Sequence, residues 1–291
     1  MQPIASTAPA PSTRGARPPV RLWPVLLLLL LAALALLAPL IAPDPLAQSL
    51  RDRLLPPAWL EDGIAKHLFG TDQLGRDLLG RLLTGLRVSL VIGLIAATSS
   101  ALIGVGLGLA AGYFRGAAEG AIMRLADIQL AFPLLVLAIA VLALVGGSLA
   151  PLVLVLSLFG WAIYARVVRA AVLVQGQMDY VNAARIAGAG HLRIMLRHLL
   201  PNVVAPVLVL WTFSVAQMVV LEGALSFLGL GVRPPAPSLG GIMSDGRQLL
   251  ELAWWLTVLP GAALVALVVG FNALGDDLRD WLDPRTAELR A

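Results

Sequence analysis

From Leu22 to Ala42 the chain runs 21 residues without a charged side chain. A hydrocarbon layer about 30 Å thick takes about 20 apolar residues wound as a helix. The run therefore suits one spanning helix, placed at 22–43, and it outlasts the ~7–15-residue apolar core of a cleavable secretory signal. Pro43, Asp44 and Pro45 stop it. Five more spans are expected at Val88–Tyr113, Ala121–Gly146, Pro151–Val172, Val203–Leu221 and Leu256–Leu274. Arg115 to Arg124 forms a short turn before the third, Pro133 interrupts it, and only Gly147–Ala150 separates it from the fourth. Composition agrees, at 59% hydrophobic and 13% charged, where a soluble domain carries about 25% charged residues. The expected fold is an all-α integral membrane protein with six transmembrane helices, an N-terminal span followed by a five-helix core at 87–275.

The segments between spans narrow the reading. Residues 1–21 are a basic tail with Arg14, Arg17 and Arg21; 44–86 is a polar loop ending in an amphipathic stretch, Leu74 to Leu86. Gly70, Gly75 and Gly80 read as turn formers there, with Arg76 and Asp77 capping or pairing at the surface. A second polar loop, 223–256, holds Pro234, Pro235 and Pro237 and the pair Trp254-Trp255, which suits an interfacial belt. Within it Leu225–Gly231 is apolar but too short to span, which suits a re-entrant or interfacial element. The tail at 276–291 alternates Asp276, Asp277, Asp280 and Asp283 with Arg279 and Arg285, at spacings that pair on a helix. Six spans leave both termini on one side. With that side cytoplasmic, inner segments hold most of the 21 Lys and Arg, although 44–87 carries six.

Several chemistries are excluded. With no cysteine there is no disulfide or thiolate metal site. His67, His191 and His198 do not stand at ligand spacing with acids inside a span, so no metal and no cofactor is expected. The net charge of +4 has no folded polar domain to carry a nucleic-acid groove. A Gly-x-x-x-x-Gly-Lys-Ser/Thr loop is absent, so the chain does not itself hydrolyse ATP. No catalytic residue is expected, and an intramembrane enzyme is disfavoured.

The stretch from Asp179 to Asn202 places Arg185, His191, Arg193, Arg197 and His198 between two apolar runs. Arginine at the centre of a span is costly, so this is a surface loop. Ala183, Ala184, Ala187, Gly188, Ala189 and Gly190 offer a smooth surface to another backbone. Leu192, Met195, Leu196, Leu199 and Leu200 follow at helical spacing as one apolar face. Two short helices with a glycine break are expected; the first suits a groove in a partner, while an interfacial helix against lipid phosphates is the alternative.

Asn182-Ala183-Ala184, then Gly188, then His198-Leu199-Leu200-Pro201 resembles the loop shared by permease subunits of ATP-binding-cassette importers. Phe69-Gly70-Thr71-Asp72 with Gly75-Arg76-Asp77, Leu225–Gly231 with Ser238-Leu239-Gly240, and Gly275-Asp276 through Leu282-Asp283-Pro284-Arg285 narrow this to one branch. Together they resemble the second permease of dipeptide, oligopeptide and nickel importers, a MetI-like fold. The resemblance implies that the cytoplasmic loop 175–201 docks into an ATPase through Asn182, Ala183, Ala184, Gly188, Arg193, His198, Leu200 and Pro201. Asn182 stands where the family has glutamate and His198 where it commonly has isoleucine, so docking rests on shape rather than on a glutamate ion pair. The implied partners are a homologous second permease, two ATP-binding subunits, a substrate-binding protein docking on 44–87 and 223–256, and membrane lipid. The implied location is the bacterial inner membrane. Peptide is the expected cargo, with nickel or another small solute as the alternative. An ion-gradient-driven carrier would need unwound spans with buried ion ligands.

Polar residues in spans are pathway candidates. Asp127 lies near Arg124 in the third span, and Ser214, Gln217 and Glu222 with Ser226 make a weakly polar stripe along the fifth. Hydrogen bonding between helices explains each equally well.

Overall fold

The computed structural model describes residues 21–282, all helix and loop. The basic tail with Arg14 and Arg17, and the pairings expected of Asp283 and Arg285, lie outside the described residues. Five helices are long and apolar enough to cross a membrane: α1 (Leu22–Ile41), α2 (Leu78–Phe114), α5 (Leu149–Gln175), the continuous helix His191–Phe227, and α10 (Trp255–Leu282). A sixth crossing is broken. α3 (Gly116–Leu130) and α4 (Leu134–Val145) meet at 84° across the Pro133 interruption. Proline has no amide to donate and fixes its own φ, so it ends one helix and starts the next. The expected turn at Arg115–Arg124 is tighter: Arg115 and Gly116, at φ 54° and 59°, reverse the chain, and α3 starts at Gly116.

α2 is the spine, packed against α1, α5, α10 and the α8 (Leu200–Phe227) part of the His191–Phe227 helix. Its glycines make this possible. A Cβ on Gly108 would stand 2.7 Å from the Ala165 carbonyl oxygen, and one on Gly112 2.7 Å from Val172 Cγ1. Gly104 lies one turn earlier on the same face, where a Cβ would come 2.5 Å from Tyr164 Cβ. In lipid, where hydrophobic burial no longer drives helices together, such small-residue seams let dispersion and close backbone approach hold them.

The amphipathic stretch expected in the 44–86 loop is instead the first turns of α2. Asp77 caps this helix by accepting from the Gly80 amide at 3.0 Å. Gly80, read as a turn former, sits inside the helix because a Cβ there would strike the Pro43 carbonyl. Close approach and chain reversal select the same residue, so the sequence alone confuses them. Residues 225–227 likewise finish α8, and Gly229 ends it at φ 80°. The short buried element is α9 (Leu239–Gly246), capped by Ser238 and lodged against α2, α8 and α10.

Loop 44–77 folds over this end of the bundle. Trp255 does not sit in an interfacial belt: its Nε1 donates to the Thr71 carbonyl at 3.2 Å in a buried contact, and only Trp254 stays at the surface. Lys66, with Ser49 and His67, holds the Asp52 carboxyl below its ordinary 3.8. At the opposite end the Arg21 amide donates to Asp277 at 3.1 Å, joining the start of α1 to the last turns of α10.

Candidate functional site

At the end away from loop 44–77, α6 (Asp179–Ile186) projects as a short helix. Its one buried residue, Val181, enters a cluster with Leu109, Val168, Val172, Ile194, Leu199 and Val203. Gly188 follows at φ 76°, with open space where a Cβ would be. The chain then starts the next helix at His191, whose Nδ1 lies 2.8 Å from the Tyr113 hydroxyl, while the Arg185 guanidinium lies 5.7 Å from the Tyr113 ring centre. Tyr180 donates to Gln175 at 2.9 Å, and Asn202 donates to the Tyr180 hydroxyl at 3.1 Å and to the His198 carbonyl at 2.7 Å. The corner is thus anchored in the core and held by its own polar contacts.

Its outer surface is bare. Asn182, Ala183, Gly188, Arg193 and Pro201 are exposed, Ala184, His198 and Leu200 partly so, and Ile186 is 88% exposed. Asn182 reaches only its neighbour, accepting from Arg185 at 3.4 Å.

The second half of this segment departs from expectation in two ways. It is no separate helix, for α7 (His191–Arg193) runs on without a break to Phe227. Nor do Leu192, Met195, Leu196, Leu199 and Leu200 share one buried face: Ile194 and Leu199 point inward, while Leu192 and Leu196 are exposed. The cause is a π-helical stretch, Ile194–Leu199, in which the Leu200 amide bonds to the Met195 carbonyl five residues back. A repeat wider than 3.6 residues brings positions five apart onto one face, which a helical periodicity count misses.

The polar stripe of the fifth span divides. Ser214 and Gln217 line a cavity of about 180 Å³ with Gln129, Phe159, Gly160 and Ile163. Glu222 does not face it. Its carboxyl group is fully buried, accepting from Ser89 at 2.5 Å and Ser226 at 2.7 Å, which joins α2 to α8. Ser89 carried no sequence signal, since one serine among apolar residues has no period to mark it. Asp127 pairs with Arg166 of α5 rather than with Arg124, because α3 turns that carboxylate toward α5.

At the other end a buried ion network ties loop 44–77 to α9. Asp72, 1% exposed, accepts from Arg76 Nε at 2.6 Å and from Arg81, and Arg81 Nη2 donates to Asp245 at 3.0 Å. Gln73 adds a bond to the Asp245 carbonyl at 2.7 Å. Among the described residues, no three or more His, Asp or Glu side chains gather where a metal ion could be held.

A bundle of long apolar helices, one of them broken, that presents a bare small-residue corner at one end has the architecture of a membrane permease subunit. Residues 104–288 match the family described as the binding-protein-dependent transport system inner membrane component, and the chain belongs to that family. It is 46% identical over 262 residues to the di/tripeptide transport system permease protein DppC of Pseudomonas aeruginosa, covering 90% of this chain and 86% of that one. It is 43% identical over 253 residues to the dipeptide transport system permease protein DppC of Escherichia coli K12, covering 87% and 84%. The crystal structure of an amino acid ABC transporter with histidines matches 68% of this chain and 92% of its own at a TM-score of 0.52. At 18% identity that match speaks to the fold alone.

Proposed function

We propose that this chain is one of two permease subunits in an ATP-driven, binding-protein-dependent importer of di- or oligopeptides. The named relatives support the cargo, and the bare corner at α6 and Gly188 carries the coupling. A surface rooted in the core through Val181, yet left uncovered by the described residues, suits transmission of force from another subunit to the spans. Asn182, Ala183, Ala184, Gly188, Arg193, His198, Leu200 and Pro201 form or border that surface, and an ATP-binding subunit is its occupant. Loops 44–77 and 228–254, joined by the Arg81 network, receive the substrate-binding protein at the opposite end. The excess of arginine on inner segments supports cytoplasmic termini. Closure of two ATPases then rocks the spans of this chain against a homologous partner, and cargo passes between them.

Replacing Gly188 tests this. A Cβ at Gly188 meets no described atom within 4 Å, so the cost of Gly188→Leu comes chiefly from a backbone at φ 76°, about 1 kcal/mol. Thermal unfolding of the purified chain should change little, while ATPase co-purification and peptide uptake should each fall about tenfold, as for the loss of about 1.4 kcal/mol of binding. A tagged wild-type chain that retains no ATPase, together with a Gly188→Leu chain that transports normally, would sink the reading. Uptake of nickel or another small solute in place of peptide would correct the cargo and leave the coupling intact.

A further inference from the structure

Arg166 and Asp127 form an ion pair on the outside of this chain's own bundle, with 49% and 62% of their side chains exposed. Arg166 lies 17 residues into α5, about 26 Å from the start of that helix at 1.5 Å per residue. About 14 Å of helix remains beyond it, and a hydrocarbon layer about 30 Å thick entered at the start of α5 would extend about 4 Å past Arg166, so the pair falls within the layer near its inner edge. Charges at that depth face a bundle interior or water rather than lipid. This bundle does not enclose the pair, so water or a second subunit must cover it.

The same strip of α5 is polar farther along. Phe159, Ile163 and Arg166 share one face by helical spacing, and Phe159 and Ile163 line the cavity that holds Gln129, Ser214 and Gln217. The neighbouring pair, Arg169 with Glu119, contrasts with this one. Its side chains are only 34% and 20% exposed, and it fastens α3 to α5.

We propose that this strip of α5 lines the solute path, and that Arg166 and Asp127 receive the two charged ends of the cargo. The inference rests on the peptide reading above. Arg166 takes the carboxylate, with two donors in a planar fork. Asp127 takes the ammonium end. Between passages they pair with each other, so neither charge is stranded. An exposed pair is weak and exchanges partners at little cost, which suits a path that must release what it binds.

Two measurements on the assembled importer test this. The chain has no cysteine, so single cysteines can be placed without background. Ile163→Cys should react with a small cationic methanethiosulfonate at least about tenfold faster than Leu154→Cys, an exposed position on the opposite face of α5, because thiolates form in water and not in lipid. Equal rates overturn the path, whatever the cargo. The double variant Arg166→Gln, Asp127→Asn keeps a hydrogen bond but no charge. Peptide uptake should fall at least about tenfold, since both charge-assisted contacts to the cargo are lost, with ATP hydrolysed per peptide rising to match. Unchanged uptake, or uptake and ATP hydrolysis falling together as the complex dissociates, overturns the role for the pair. A wild-type importer that hydrolyses ATP but moves no peptide overturns the cargo assignment, while the cysteine rates still decide the path.

Discussion

Gly104→Leu is expected to drive α2 away from α5 and to cost the folded chain at least about 3 kcal/mol, the upper part of the range for overpacking. The obstruction is mostly backbone. A Cβ at this position meets the Trp161 carbonyl oxygen, the Tyr164 Cβ and, at 3.2 Å, the Ala165 amide nitrogen. No side-chain rotation relieves that, so the helices must separate along the seam that Gly108 and Gly112 continue. Thermal unfolding of the detergent-solubilised chain should show a clear drop in midpoint. Gly106, two residues on, faces open space, and Gly106→Leu should leave the midpoint within experimental error. Equal midpoints for the two variants would mean that the glycine seam does not hold α2 to α5.

Arg81→Ala is expected to be comparably damaging by a different route. Removing one partner of a buried ion pair costs about 3–5 kcal/mol, because the remaining charge loses its compensation. Asp72 keeps Arg76 Nε and the amides of Leu74 and Arg76, so the lower end, about 3 kcal/mol, is expected. Loop 44–77 would also lose its tie to α9, and protease cleavage between residues 44 and 77 should accelerate. Adding Asp72→Asn to Arg81→Ala should recover part of the stability, because the coupling of two contacting charges shows as non-additivity. Asp245 is the contrast: its side chain is 46% exposed, and Asp245→Asn should cost under about 1 kcal/mol. Additive losses at positions 72 and 81 would remove the network from the account of this end.

Those two sites also mark what the sequence could and could not convey. The spans were legible because hydrocarbon imposes a length and excludes charge, and Leu22–Ile41 was read almost to the residue. Pro133 announced the broken crossing, though not its 84° bend, which depends on what α3 and α4 pack against. Gly80 was misread as a turn former, because the atom that approaches it belongs to Pro43, far from any periodic pattern. The α6 corner was visible as misplaced charge and small residues. The burial of Glu222 with Ser89 and the pairing of Asp127 with Arg166 were not, since each joins residues from different helices. Local spacing constrains a face of one helix; which face meets which is decided by tertiary contact.

The π-helical stretch at Ile194–Leu199 has a consequence for length. Such a turn holds one residue more than an α-helix needs. Deleting a single residue between 194 and 199 lets the helix close into ordinary α form with α8 still in register, whereas the same deletion deeper in α8 turns every later side chain by about 100°. The chain therefore stores its slack where the projecting corner joins a span, and that joint tolerates a change in residue count that the span itself does not.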